Sequence, residues 1–164
     1  MDKFSITQAC SSKDRPPISY KIREYFVHFI TENVLIPKKI ILNGKWNICL
    51  AFIFLKDGKF GPSGVYVYKP TSVSSDNVTI YPIQVPLKEI VESNNPLLRT
   101  IELFYEGIKL FFVKNYKKVD EKFMDDLWVK VDLDYLLSLP YPANIKDQKY
   151  VGDGWLSRNA KAFV

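Results

Sequence analysis

The sequence contains one histidine and two cysteines among its 164 residues. A zinc site of the usual kind needs four ligands drawn mostly from these residue types, so a single copy of the chain cannot assemble one. A Ser-His or Cys-His nucleophile would have to use His28, and no G-x-S-x-G motif accompanies that histidine. We therefore predict no catalytic residue, no metal site and no cofactor, and we interpret the two thiols as reduced.

Long hydrophobic runs are missing as well. The longest apolar run spans residues 46–55 and has about half the length that a bilayer-spanning helix requires. The first 17 residues lack the apolar region of a signal peptide. The sequence therefore predicts a soluble, cytoplasmic protein with no membrane contact.

The charges are unevenly distributed along the chain, whose net charge is +5. Residues 1–119 contain 17 Lys and Arg against 10 Asp and Glu, whereas residues 120–153 contain 4 basic and 8 acidic residues. The length fits one domain. We predict a single domain, 1–164, with a polar leader (1–15), a basic α+β body (16–119) and an acidic, aromatic C-terminal module (120–164).

The apolar run at 46–55 predicts a central strand buried on both faces, because its polar and apolar residues do not alternate. The dipeptides Asn43-Gly44 and Asp57-Gly58 on either side suit turns that need positive φ. We predict an α+β fold whose sheet is an antiparallel meander of about four strands. Pro82 marks the last of them as an edge strand or as the site of a bulge. The predicted strands are 39–43, 45–55, 64–69 and 78–85.

Helical periodicity predicts an N-terminal helix over 18–32, a long helix over 96–114 and short C-terminal helices. Asn95 is expected to cap the long helix, with a proline at its first position. Leu103 and Leu110 project from nearly the opposite side to the apolar stripe of this helix. We expect the C-terminal segment to cover them, with a partner protein as the alternative.

The C-terminal module combines carboxylates with aromatic residues. Protein interfaces use aromatic side chains as anchors and a charged rim of one sign to steer association, which favours a cationic protein partner here. A second interpretation stays open, in which the rings belong to the core and the acids are simply solvated. The predicted partner-binding residues are Asp125, Asp126, Asp132, Asp134, Tyr141, Tyr150, Asp153 and Trp155.

Two other functions remain as alternatives. The basic body could bind nucleic acid, because cations lie beside aromatic residues at Lys109, Lys114, Lys117 and Lys118 with Phe111, Phe112 and Tyr116. Alternatively, the carboxylates of residues 120–153 could serve an Asp-dependent hydrolase, with the pairs Asp125/Asp126 and Asp132/Asp134 as candidates.

A compact α+β domain without a catalytic motif and with an acidic, aromatic module resembles the immunity proteins of bacterial polymorphic and contact-dependent growth-inhibition toxin systems. The run LLSLPYPANIKDQKYVGDGW at 136–155 is typical of a family-specific segment. The resemblance implies tight, stoichiometric binding to a cognate toxin domain, which blocks the toxin's active site or its access to substrate. Inhibitors of nuclease toxins are often acidic overall. Because this chain has a net positive charge, only its C-terminal module fits that pattern.

Overall fold

A computed structural model describes residues 4–10, 20–40, 47–55, 64–73 and 78–139. This part of the chain forms a mixed α/β domain. No helix within it is long and apolar enough to cross a membrane. In chain order the elements are β1 (Phe4–Cys10), α1 (Tyr20–Ile30), β2 (Asn47–Leu55), β3 (Tyr66–Val67), β4 (Thr71–Val73), β5 (Val78–Pro86), α2 (Leu87–Val91), α3 (Pro96–Asn115), α4 (Glu121–Leu127) and α5 (Leu133–Ser138).

The sheet is mixed, with the strand order β1-β2-β5-β3 and with β4 pairing with β5. Strand β2 runs parallel to both β1 and β5, whereas β3 and β4 run antiparallel to β5. The predicted antiparallel meander is therefore not confirmed. Two features of the topology account for the difference: β5 inserts between β2 and β3, and a strand that we did not predict pairs with the other edge of β2.

That additional strand is β1, which lies within the predicted polar leader. Among the side chains of β1 that the structure describes, residues 4–8, Phe4 and Ile6 are buried and Ser5 between them is exposed. The predicted strand at 39–43 begins with residues that are not in a strand: Lys39 lies in a turn and Ile40 in no regular element. Residues 41–43 lie outside the described part of the chain.

Strand β2 is the centre of the fold, and its burial on both faces is confirmed. Leu50, Phe52 and Phe54 join the main core, whereas Cys49 and Ala51 belong to a second cluster with Ile80. The Phe52 ring stacks on the ring of Phe104 in α3 with 3.9 Å between centroids. Both α1 and α3 contribute to the cluster on the Phe52 side, so the main core lies between these helices and the sheet.

Pro82 lies in β5, which is an interior strand and not an edge strand. Its carbonyl accepts a hydrogen bond from the Tyr68 N–H at 2.9 Å, so its missing N–H also faces the β3–β4 side and the ladder with β2 stays intact. The pairing register with β5 shifts by one residue between Tyr66 in β3 and Thr71 in β4. The sheet therefore accommodates the proline by a bulge in the neighbouring strand.

The predicted helices are found close to their expected bounds. The first is α-helical over Tyr20–Ile30 and continues as a π-helical turn over Thr31–Leu35. The long helix begins with Pro96, and the Asn95 side chain accepts a hydrogen bond from Leu98 N–H at 3.2 Å, as predicted. The short C-terminal helices α4 and α5 are also present, each capped by an aspartate.

Leu103 is buried on a side of α3 that approaches the sheet. A Cβ atom added at Gly107 would lie 2.7 Å from Phe52 Cε2, so α3 approaches the sheet closely at this glycine. Leu103 precedes Gly107 by one helical turn and therefore lies on the same side of the helix. Its exposed fraction is 2%, and Leu110 packs half-buried against the same core. Leu103 also lines a groove with Asp125 and Trp128, so residues of the predicted C-terminal module lie on this side of the helix as well.

Candidate partner-binding groove

A groove of about 450 Å³ runs between α3 and the segment formed by α4 and the 3₁₀ turn after it. We call it the α3–α4 groove. Its apolar part consists of Leu103 and two aromatic rings, and its polar part mixes charges of both signs. The lining residues are Arg99, Glu102, Leu103, Tyr105, Glu106, Lys109, Asp125 and Trp128.

Helical spacing aligns the charged residues of α3 along the groove. Arg99, Glu102, Glu106 and Lys109 follow one another at intervals of three or four residues, which places them on one face of the helix. The opposite wall begins at Asp120, whose carboxylate accepts a hydrogen bond from Phe123 N–H at 2.8 Å and so caps α4. The local sequence of each helix therefore determines where each wall of the groove begins.

Two aromatic rings join the walls. Tyr105 of α3 donates a hydrogen bond from its hydroxyl to the carbonyl oxygen of Met124 in α4 at 2.6 Å. The rings of Tyr105 and Trp128 lie with their centroids 5.0 Å apart. Burial, together with the nearby charge of Asp125, raises the pKa of Tyr105 above its ordinary value, so the hydroxyl keeps its proton. This contact fixes the relative position of the two helices.

Lys109 is the most enclosed charge of the groove, with a side chain only 12% exposed. Its ammonium group lies 2.9 Å from Asp125, 3.3 Å from Glu121 and 3.6 Å from Glu106. Burial alone would lower the pKa of Lys109, but the hydrogen bond to Asp125 and the other carboxylates outweigh burial and raise it. Lys109 therefore stays charged and anchors three acidic side chains.

Arg99 has the same role at the other end of the groove, where it pairs with Glu89 and, at 3.4 Å, with Glu102. Five carboxylates thus surround two cations, which leaves a local charge of −3. Because each cation is already held by its own carboxylates, the network has a fixed geometry and a net negative charge. The carboxylates are those of Glu89, Glu102, Glu106, Glu121 and Asp125.

Of the four predicted partner-binding residues that the structure describes, only Asp125 lines this groove. Asp126 forms an exposed pair with Lys122 at 2.8 Å, and Asp134 is exposed in the first turn of α5. Asp132 caps α5 by accepting from Tyr135 N–H, and its own N–H donates to the Tyr25 hydroxyl at 2.8 Å. Tyr141, Tyr150, Asp153 and Trp155 lie outside the described residues.

The remaining lining residues were not predicted as site residues. Trp128 belongs to the predicted acidic, aromatic module, and the charged residues of α3 belong to the predicted basic body. The available signal was the three- and four-residue spacing between Arg99 and Lys109. It was not decisive, because the same spacing is typical of ion pairs on an exposed helix face.

The residues proposed for nucleic-acid binding are divided by the fold. Phe111 and Phe112 are buried in the main core, and Lys109 lies among carboxylates. Lys114, Lys117 and Lys118 are exposed near the C-terminal end of α3. For the hydrolase alternative, the described residues include no group of three His, Cys, Asp or Glu side chains arranged to hold a metal ion.

Replacing Tyr105 with phenylalanine is expected to lower the free energy of unfolding by about 1 kcal/mol at pH 7, because the Met124 carbonyl loses its donor. The pKa of Tyr105 is raised, so above pH 10 the unfolded chain releases this proton before the folded chain does. Above pH 10 the wild type therefore loses stability because Tyr105 is deprotonated in the unfolded chain, which cannot happen in the variant. Urea unfolding of the wild type and the variant at pH 8 and pH 10.5 measures the free energy of unfolding of each. The difference between the two free energies should be smaller at pH 10.5, and a constant or larger difference would contradict the burial of this hydroxyl.

Comparison of the chain with models of protein families, with curated proteins and with solved structures finds no match.

Proposed function

We propose that the protein is a non-enzymatic binding protein that neutralises a cognate toxin domain by tight association in the cytoplasm, as immunity proteins do. The α3–α4 groove is its contact site, and the partner is a cationic protein domain. The observation that carries this proposal is the combination in one groove of two aromatic rings with a net negative set of carboxylates.

The aromatic rings suit the groove for an anchoring role. Trp and Tyr are enriched among the residues that dominate the energy of protein interfaces, where they pack into partly enclosed sites. Trp128 is only half-buried in the free protein, so part of its surface remains available for a partner. Its contact with Tyr105 holds the ring in place before binding, which reduces the entropy that association costs.

The charge of the region selects the sign of the partner. Residues 120–139 contain six carboxylates and two lysines, in addition to the carboxylates that α2 and α3 contribute to the groove. A negative surface of this kind accelerates association with a cationic domain and opposes an acidic one.

An exposed apolar residue extends the surface beyond the groove. Val129 follows Trp128 in the 3₁₀ turn and is 82% exposed. A single exposed valine is ordinary, but its position directly beside the groove lets one partner contact both.

The experiment starts from the product of the neighbouring gene as the candidate toxin. Its toxic domain is produced alone and together with this protein, and growth, complex stoichiometry and affinity are measured. We expect restored growth and a one-to-one complex that survives size-exclusion chromatography. Salt-sensitive binding to RNA or DNA without any protein partner would instead support the nucleic-acid alternative. Turnover that is lost in an Asp126→Asn or Asp134→Asn variant would support the hydrolase.

Reversing a charge of the groove with Glu102→Lys is expected to slow association with the toxin about tenfold at low salt. Glu92→Lys is the matched control, because it makes the same charge change at an exposed residue at the end of α2. Among the described ion pairs, Glu92 pairs only with Lys88. Stopped-flow association at 20 and 200 mM salt measures both. Equal slowing by the two variants would mean that net charge matters and the groove does not.

A further inference from the structure

A second concave site lies at the C-terminal end of α3, beyond Lys109 along the chain. The acidic half of the helix precedes Lys109. Its volume is about 330 Å³, and its lining consists of three lysines with one amide, one phenol and one aliphatic side chain. No carboxylate of the described residues belongs to this lining. The residues are Lys39, Ile40, Asn115, Tyr116, Lys117 and Lys118.

The backbone at Lys39 has an unusual conformation for its residue type. Its φ is 54°, the only positive φ at a non-glycine residue in the described part of the chain. Lys39 N–H donates to Ile36 O at 3.1 Å and Ile40 N–H donates to Leu35 O at 2.9 Å. These two bonds form the Schellman motif that ends a helix, in which the left-handed residue is usually glycine.

The turn is fixed to the end of α3. The ammonium group of Lys118 donates a hydrogen bond to the carbonyl oxygen of Lys39 at 3.4 Å. The preceding residue, Lys38, places its ammonium group 4.3 Å from the centre of the Phe123 ring in α4. Surrounding contacts therefore hold Lys39 in a conformation that is unfavourable for a lysine, as is typical of ligand-binding sites.

Among the residues that the structure describes, the lysines of this pocket have no acidic partner. None of the ion pairs found among the described residues includes Lys39, Lys117 or Lys118. Lys109 of the α3–α4 groove, by contrast, is surrounded by carboxylates. Three lysines line one cavity to which no described carboxylate contributes, and this excess of positive charge favours an anionic ligand.

We propose that the pocket formed by Lys39, Lys117 and Lys118 binds the phosphate group of a small phosphorylated molecule. Ammonium groups bind phosphate through charge-assisted hydrogen bonds. The cavity volume lies at the lower end of the range for small-molecule sites, which favours a compact ligand over an extended polymer. This site is independent of the α3–α4 groove and of the function proposed for that groove.

The probe for this proposal is inorganic pyrophosphate, titrated into the full chain by calorimetry. Lys39→Gln and Lys117→Gln are each expected to weaken pyrophosphate binding about tenfold, the value of one charge-assisted hydrogen bond. Lys21→Gln is the charge-matched control, because Lys21 is exposed in the first turn of α1, 18 residues before Lys39. The helical residues 21–35 between them span roughly 20 Å. Equal weakening by all three variants would overturn the proposal in favour of diffuse attraction by the net positive charge.

Lys39→Gly separates a binding role from a structural one. Glycine adopts a positive φ without strain and keeps the backbone carbonyl that Lys118 contacts. We expect the melting temperature to rise by roughly 2–4 °C. Pyrophosphate affinity should fall as far as in Lys39→Gln. A higher melting temperature with unchanged affinity would show that the side chain has no part in binding.

Two further ligands identify the source of the phosphate. A ten-nucleotide single-stranded RNA and phosphatidylserine vesicles are each added in the presence and absence of pyrophosphate. Competition by pyrophosphate for the pocket, with the Lys39 and Lys117 variants impaired, supports the small ligand. RNA or vesicle binding that pyrophosphate does not reduce, together with no binding of pyrophosphate itself, would overturn it.

Discussion

Replacing Gly107 with alanine is expected to lower the free energy of unfolding by about 1–3 kcal/mol. In an exposed helix the same exchange stabilises by up to about 1 kcal/mol, so the expected sign is reversed here. The added methyl group would lie 2.7 Å from Phe52 Cε2 and 2.9 Å from Ile83 Cγ2. Both neighbours are fully buried, so the helix or the sheet must move to admit the new atom.

Urea unfolding of the variant, the wild type and a Lys114→Ala control measures this effect. Lys114 is exposed in the last turn of α3, and its replacement should change the free energy of unfolding by less than about 0.5 kcal/mol. Combining Gly107→Ala with Phe52→Leu removes the ring atoms that the methyl group meets. We expect the double variant to lose less than the sum of the single losses. Stabilisation by Gly107→Ala would mean that α3 does not approach the sheet as closely as described.

Replacing Trp128 with alanine is expected to weaken toxin binding about 100-fold, a loss of roughly 2.7 kcal/mol that is typical of a central aromatic residue at an interface. The ring is half-buried against Tyr105, and the carboxylate of Asp125 lines the same groove. Removing the Trp128 ring takes away the apolar area that a partner would contact. Calorimetric titration of the toxin domain into the full chain measures the change.

Trp128→Phe is the matched variant, because phenylalanine keeps a ring beside Tyr105. We expect it to lose less than about tenfold in affinity. The melting temperature of each variant is measured alongside, and binding is compared only where both are folded. If Trp128→Ala lowers the melting temperature but binds the toxin as tightly as the wild type, the ring is part of the core and the groove is not the contact site.

The sequence predicted those elements whose signals are local. The start of α3 followed from Asn95 and the proline after it. The two-sided burial of β2 followed from a run without alternation. In each case, the residues that specify the element lie within or directly beside it.

The partners of the strands could not be predicted in the same way. The apolar residues Phe4 and Ile6 of β1, which are buried, do not stand out from a polar leader. Parallel pairing also depends on residues far apart in sequence, as in the register that places Ile6 beside Leu50. The covered side of α3 was missed for a related reason. Gly107 carries no hydrophobic side chain, and it marks the close approach only once Phe52 is known to lie against it.

The negative charge of the candidate site was predicted from the sequence, but most of its residues were not. The acidic module was expected to supply the contact surface, and it contributes Asp125 and Trp128 to the groove. The other wall comes from α3, in a stretch assigned to the basic body. A groove between two helices depends on how the helices pack, and the Tyr105 hydroxyl bond that joins them spans 19 residues.

The position of β5 between β2 and β3 has a consequence for synthesis of the chain. The neighbour that completes β2 is made only when residues 78–86 appear, and the helix that covers its Phe52 side ends at Asn115. Translation from Leu55 to Asn115 takes roughly 3–12 seconds at about 5–20 residues per second. During that interval the nascent chain exposes its most hydrophobic strand, because α3 is not yet there to cover it. The risk of aggregation is therefore greatest before the acidic module has been synthesised.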